Sequence, residues 1–259
     1  MAKKPYIIVT ASPKGGVGKT VVSINVATAL RTSGYDVLLI DTDVANPSVG
    51  LLLGSGIEGP GYQEVLLGKA NLKDVLILYP LSGFYYLNAG GDGNEIAATT
   101  EQVSKFYAEI SKTDFDFIIV DTPPGAKIEP AMKLFNEALI VTTPEETAVK
   151  GAQRLSSFYL KYHLLHKLVI NRVKEAKFDM TEEMIEKLYG DVAYALVPEE
   201  KTVAESESRH MPAYLINRTS LFSISIDDLC RSYLLMIGAQ VDQPSQKGGW
   251  GIKRFFTKK

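Results

Sequence analysis

The 259-residue sequence holds one cysteine, one tryptophan and three histidines, and its formal charge is only −2. A single thiol, Cys230, excludes a disulfide framework and any cysteine-ligated cluster supplied by one chain. It stands in the apolar run DDLCRSYLLMI, which points to a packing role, since free cysteine is among the most buried residue types. His163, His166 and His210 are scattered without the spacing of a metal site. The small net charge gives no general attraction to nucleic acid. No apolar run reaches the roughly 18 residues of a membrane-spanning helix. The N-terminal MAKKPYIIVTAS has a short apolar stretch that runs directly into glycines, unlike a secretory leader, so a cytoplasmic protein is expected. There is no internal repeat and no low-complexity block.

What the chain does have is alternation. YIIVTA (6–11), DVLLID (36–41), FDFIIVDT (115–122), EALIVTT (137–143), HKLVINRV (166–173) and DVAYALVP (191–198) read as strands apolar on both faces. Between them lie helical periods at about 19–33, 95–112, 129–136, 145–163 and 180–189, with another at 220–238. This order predicts an α/β fold with a mostly parallel, doubly wound sheet and helices on both faces. The length suits one such domain. Thr143, Pro144 and Glu146 read as the N-cap, first position and capping-box glutamate of one helix. The composition changes after about residue 239, where AQVDQPSQKGG reads as a linker, giving a domain over 1–238, a linker over 239–249 and a tail over 250–259.

TASPKGGVGKTV (10–21) follows a predicted strand and opens a predicted helix, the context of a phosphate-binding loop. Gly15, Gly16 and Gly18 free the backbone N–H groups of 15–21, Val17 and Val21 included, to wrap phosphate oxygens at a helix N-terminus. Lys19 would reach the β- and γ-phosphates and the Thr20 hydroxyl would hold Mg²⁺, so the fold is a P-loop NTPase with ATP as the expected ligand. Pro13 stands where the usual pattern has its first glycine. With φ fixed and no N–H, it shapes the approach to the loop without donating to phosphate.

A second lysine inside the loop, Lys14 of KGGVGKT, marks the deviant Walker ATPases, and here the chain resembles the MinD/ParA family. The resemblance implies that Lys14 crosses a dimer interface to the partner's phosphates, and hence an ATP-dependent homodimer. A cation delivered in trans stabilises the transferring phosphoryl group only when two subunits meet. VLLIDTDVANPSVGLLLG (37–54) matches the family's first switch, which places Asp41 near Mg²⁺ and Asp43 by the attacking water. Read without the resemblance, two aspartates after a strand more often serve a helix cap or turn. FIIVDTPPG (117–125) matches Walker B and the second switch, with Asp121 on the metal and Gly125 in the turn that senses the γ-phosphate. VINRV and ALVPEE resemble the adenine segments, which implies Asn171 and Pro198 at the base. Catalysis then falls to Lys14, Lys19 and Asp43, and the metal to Thr20, Asp41 and Asp121.

The tail KGGWGIKRFFTKK (247–259) carries +5 and no acid, leaving −7 on residues 1–246. A basic tail on an acidic body favours anionic lipid over a broad DNA face. At about 100° per residue Ile252, Phe255 and Phe256 share one arc, opposite Lys253 and Arg254, which predicts a short amphipathic helix. Trp250 suits the headgroup level. GIKRFF resembles the membrane-targeting tail of MinD-type members. A peripheral protein on the inner face of the membrane in its ATP state, released when a regulatory protein stimulates hydrolysis, is the expectation that follows. The ParA-type alternative binds DNA, a flagellar-number regulator would share the tail, and a scaffold with vestigial hydrolysis would not need the intact Lys19, Thr20, Asp43 and Asp121. Iron–sulfur carriers of this class need paired cysteines, and its tyrosine kinases a tyrosine-rich C-terminus.

Overall fold

Strand alternation sets up two helix layers around one sheet. In β1 (Tyr6–Ala11) Ile7 and Val9 point to one layer and Ile8 to the other. The same split recurs in β2 (Val37–Asp41) and β5 (Phe117–Asp121), as the two-residue period of a strand requires. The computed structural model describes residues 4–91, 96–125, 129–174, 187–189, 192, 194–240 and 251–253. Within them β6 (Glu137–Thr142), β7 (Leu165–Val173) and β8 (Tyr194–Pro198) complete the six expected strands. Two short strands, β3 (Ile77–Leu78) and β4 (Tyr85–Leu87), and a last one, β9 (Gly251–Lys253), join them. The sheet order is β3-β4-β2-β5-β1-β6-β7-β8-β9, antiparallel at its two outer pairs and parallel between.

One face is covered by α1 (Lys19–Thr32) with two later helices, α8 (Ala213–Ile216) and α9 (Leu221–Met236). Cys230 of α9 is buried there, as its apolar surroundings foretold. The other face takes α3 (Tyr62–Leu66), α5 (Thr100–Ile110) and α6 (Glu146–Lys161). Three further helices, α2 (Val49–Leu53), α4 (Leu72–Val75) and α7 (Lys201–Arg209), lie in connections. α5 starts at a capping box, Thr99 with Gln102, later than its apolar period suggests.

Three expectations need correcting. Glu129–Leu134 is a 3-10 turn, not an α-helix. Pro130 gives no N–H to an α-helical ladder there. α6 begins at Glu146 with Glu145 as its N-cap, because Glu145 is drawn aside to Thr143 and Lys14, so Thr143 does not cap it. The tail's Ile252 and Lys253 are strand, not helix. β8 would otherwise be a bare edge with unpaired N–H and C=O groups, and β9 covers it. Trp250, Arg254, Phe255 and Phe256 lie outside the described residues, as does most of the helix expected over 180–189.

Candidate nucleotide site

β1 ends at Ala11 and the chain turns through residues 12–18 into α1. Gly16 and Gly18 hold φ of 77° and 88°, a region that side chains disfavour. A Cβ on Gly18 would stand 2.3 Å from Nδ2 of Asn171, so glycine is needed there twice over. Pro13 rests against α6 at Gly151, where a Cβ would lie 2.5 Å from its own. Gly18 caps α1 with no side chain closing the helix end, which leaves first-turn N–H groups for an anion.

The loop borders a cavity of about 450 Å³ whose wall includes Ser12, Gly15 through Val21, Asp43, Asn46, Ser48, Leu52, Pro124, Arg172 and Glu207. Asp121 is fully buried and lies behind this wall, where it gathers Lys19 and Thr20 from it. Oδ1 receives Lys19 Nζ at 2.8 Å and the Ser23 hydroxyl at 2.8 Å, while Oδ2 accepts the Thr20 hydroxyl at 2.7 Å. Thr20 Oγ1 also lies 3.0 Å from Ser48 Oγ. Strand register sets Asp41 beside Asp121. Burial first, then the neighbouring Asp121, pushes the Asp41 carboxyl up to about 6, against the pull of backbone N–H groups from Val49, Ser48 and Asp43. Two crowded carboxylates beside hydroxyls form a hard-oxygen donor set that suits Mg²⁺. The Ser12 hydroxyl in the cavity wall is buried without a partner among the described residues, a further group that a phosphate oxygen would satisfy.

The remaining expected residues divide. Asp43 reaches the cavity wall, and its Oδ1 also accepts the Asn46 N–H at 3.0 Å, so it serves a turn as well. Lys14 is 47 % exposed and pairs with Glu145 at 3.3 Å. The Thr143 hydroxyl first, and Lys14 after it, hold the Glu145 carboxyl below the usual range against a small burial effect. Gly125, with φ 68°, donates to Ser12 O at 2.9 Å and ties the turn after β5 to the start of the loop after β1, while Pro124 supplies part of the wall. Asn171 is buried and donates to Val17 O at 2.8 Å, supporting the loop from behind. Pro198 pairs with Val173 at the end of β8 and is not in the wall. Arg172, in the left-handed region at φ 59°, and Glu207 of α7 stand in the wall in its place. Neither was marked by its sequence surroundings. Ser23 was findable, being one helical turn beyond Lys19.

Fold and cavity together define a P-loop nucleotide-binding protein with a deviant loop. The chain belongs to the CobQ/CobB/MinD/ParA nucleotide-binding domain family, whose model matches residues 8–213. A Guillardia theta protein provisionally named septum site-determining protein MinD is 29 % identical over 231 residues, covering 85 % of each chain. The septum site-determining protein MinD of Pyrococcus horikoshii, complexed with Mg-ADP, superposes with a TM-score of 0.78 at 26 % identity, over 92 % of this chain and 100 % of that one. A chain of the MinC:MinD cell division complex of Aquifex aeolicus gives 0.78 at 25 % identity, over 95 % and 99 %. The protein is thus an ATPase-family member of the MinD/ParA group, and its relatives include cell-division proteins.

Proposed function

We propose that this protein is a MinD-like, Mg²⁺-dependent ATPase that dimerises on binding ATP, attaches to anionic membrane through residues 250–259 and leaves when ATP is hydrolysed. The observation that carries the reading is the placement of Lys14. It stands exposed on the loop and is tied to an equally exposed Glu145, so crossing to a second copy breaks only a weak contact.

The chain's own groups suit the steps. N–H groups of residues 15–21 would cradle the phosphates, and Lys19 would exchange Asp121 for β- and γ-phosphate oxygens. Thr20 and Asp121, with Asp41 beside them, would hold Mg²⁺, which supplies countercharge between those oxygens. Asp43 would orient the attacking water. Lys14 from a second copy would complete the positive charge around the transferring group. Hydrolysis then waits on dimerisation, which makes a slow enzyme open to stimulation by a regulatory protein. The MinC:MinD cell division complex of Aquifex aeolicus, in which a relative binds another protein, supports a protein partner here. Two tails on one dimer raise effective concentration at a surface, so nucleotide state governs attachment without any new contact. The role that follows is positioning the division site, or another structure, from the inner membrane face.

Co-sedimentation with anionic liposomes in ATP, ADP and no nucleotide tests this, with full-length protein beside a chain ending at Val241. ATP-dependent sedimentation lost on truncation is the expected result. Binding to DNA at the same salt with no response to lipid would move the protein to a ParA-like role.

A further inference from the structure

We propose that the outer edge of β8 is a docking site for the tail itself, holding residues 251–253 as a strand and competing with the lipid surface for them. The proposal rests on the membrane reading above and adds to it a second address for the same residues.

The register is explicit: Leu196 faces Gly251, Ala195 faces Ile252 and Tyr194 faces Lys253, antiparallel. β8 is already paired with β7 on its inner side and buried along its whole length. Its outer side would otherwise present open N–H and C=O groups, a template for any extended segment. Strand addition draws its affinity from main-chain bonds, so it does not depend on the basic and aromatic side chains that suit the tail to lipid. Helical and extended backbone exclude each other at a residue. Ile252 and Lys253 belong to both the predicted amphipathic helix and β9, so a tail on β8 is not a helix on the membrane. Three residues make a weak latch, short enough for two tails on one membrane-bound dimer to leave it. The docking strand also continues into the site: α7, which follows β8, carries Glu207 into the cavity wall.

The test uses the full chain carrying Ala195→Cys with Ile252→Cys. Opposed residues of an antiparallel pair lie within disulfide reach, and the native Cys230 is buried. Oxidation should give an internal crosslink and abolish ATP-dependent sedimentation with phosphatidylglycerol-containing vesicles, and reduction should restore it. Failure to crosslink, or equal sedimentation of crosslinked and reduced protein, would overturn the docking site. If the reduced and wild-type proteins fail to sediment in ATP, the membrane reading falls and the competition falls with it. Hydrogen exchange on the unaltered chain is a second readout. The amides of 194–196 and 251–253 that point across the β8–β9 seam should be protected together without vesicles, and those of 194–196 should lose protection when vesicles and ATP are added, while the 194–196 amides aimed at β7 keep theirs. Unchanged protection of the seam-facing amides of 194–196 on vesicle-bound protein would also overturn the proposal.

Discussion

At the C-terminal ends of the strands, Lys19 meets Asp121 at 2.8 Å with side chains 8 % and 0 % exposed. At the N-terminal ends Lys167 meets Glu137, both 4 % exposed. The two pairs share charge and burial and differ in company. Asp121 is also held by the Thr20 and Ser23 hydroxyls, and Lys19 opens onto a cavity lined by loop N–H groups. Glu137 takes the Tyr6 hydroxyl at 3.0 Å, and Lys167 lies 4.2 Å from the centre of the Tyr233 ring. One pair can trade partners and the other is sealed among aromatic rings. A buried ion pair becomes a site through the alternatives around it, and without them it is a staple joining β1, β6, β7 and α9.

The sharpest way to break that contrast is to cut each pair. Glu137→Ala should cost about 3–5 kcal/mol of stability in urea unfolding, because it leaves a buried cation uncompensated. ATP turnover per folded molecule should be unchanged. Lys19→Ala should cost less stability, since Asp121 keeps Ser23 and Thr20, while phosphate release falls roughly 10²–10³-fold. Interchanged effects would mean that the N-terminal pair, not the loop, is the working one. Replacing both staple residues by apolar ones, Glu137→Leu with Lys167→Met, should be neutral or stabilising by about 1–4 kcal/mol, an outcome the Lys19 pair does not permit without loss of activity. Smaller again is the rim: Glu145→Gln should shift stability by less than about 1 kcal/mol. Lys14→Ala should leave nucleotide binding intact while reducing hydrolysis, read by equilibrium binding beside turnover.

The contrast also explains what the sequence made legible. Strands β1, β2, β5, β6, β7 and β8 announce themselves because burial on both faces demands unbroken apolar runs. The loop announces itself because glycine at positive φ and a lysine at a helix start have few substitutes. Arg172 and Glu207 were not legible, since a cavity wall assembled from β7 and α7 leaves no local spacing. Asn171 was marked for the right neighbourhood, yet its amide is committed to Val17 because Gly18 brings the loop against it. The tail was read as a helix from its amphipathic period, its basic charge and its likeness to MinD-type tails. Strand pairing at β8 depends on an unpaired edge far away in sequence, which no local pattern records.

The remaining effects concern pH, and the two ends of the strands should differ in sign. Asp41, raised to about 6 by burial and Asp121, keeps a proton in the folded chain that the unfolded chain releases near its ordinary 3.8. The folded state binds more protons through that window, so this contribution to stability falls as pH rises from about 4 to about 6. At the other end His166, held 2.7 Å from Ser156 Oγ, has its pKa lowered by burial, against the pull of Leu164 O and Glu137. The unfolded chain takes up its proton first, so this contribution is complete above 6.5 and is lost as pH falls below it. Melting temperatures from pH 4 to 8 should therefore respond oppositely to two substitutions: Asp41→Asn removes a decline with rising pH, and His166→Gln removes a rise. Mg²⁺ with ADP should flatten only the first, because a countercharge near Asp41 would favour its ionised form against the burial and the neighbouring Asp121 that raise it. A flattening of the His166 component as well would mean that the two ends are coupled through the sheet, and the separation of site from staple would fail.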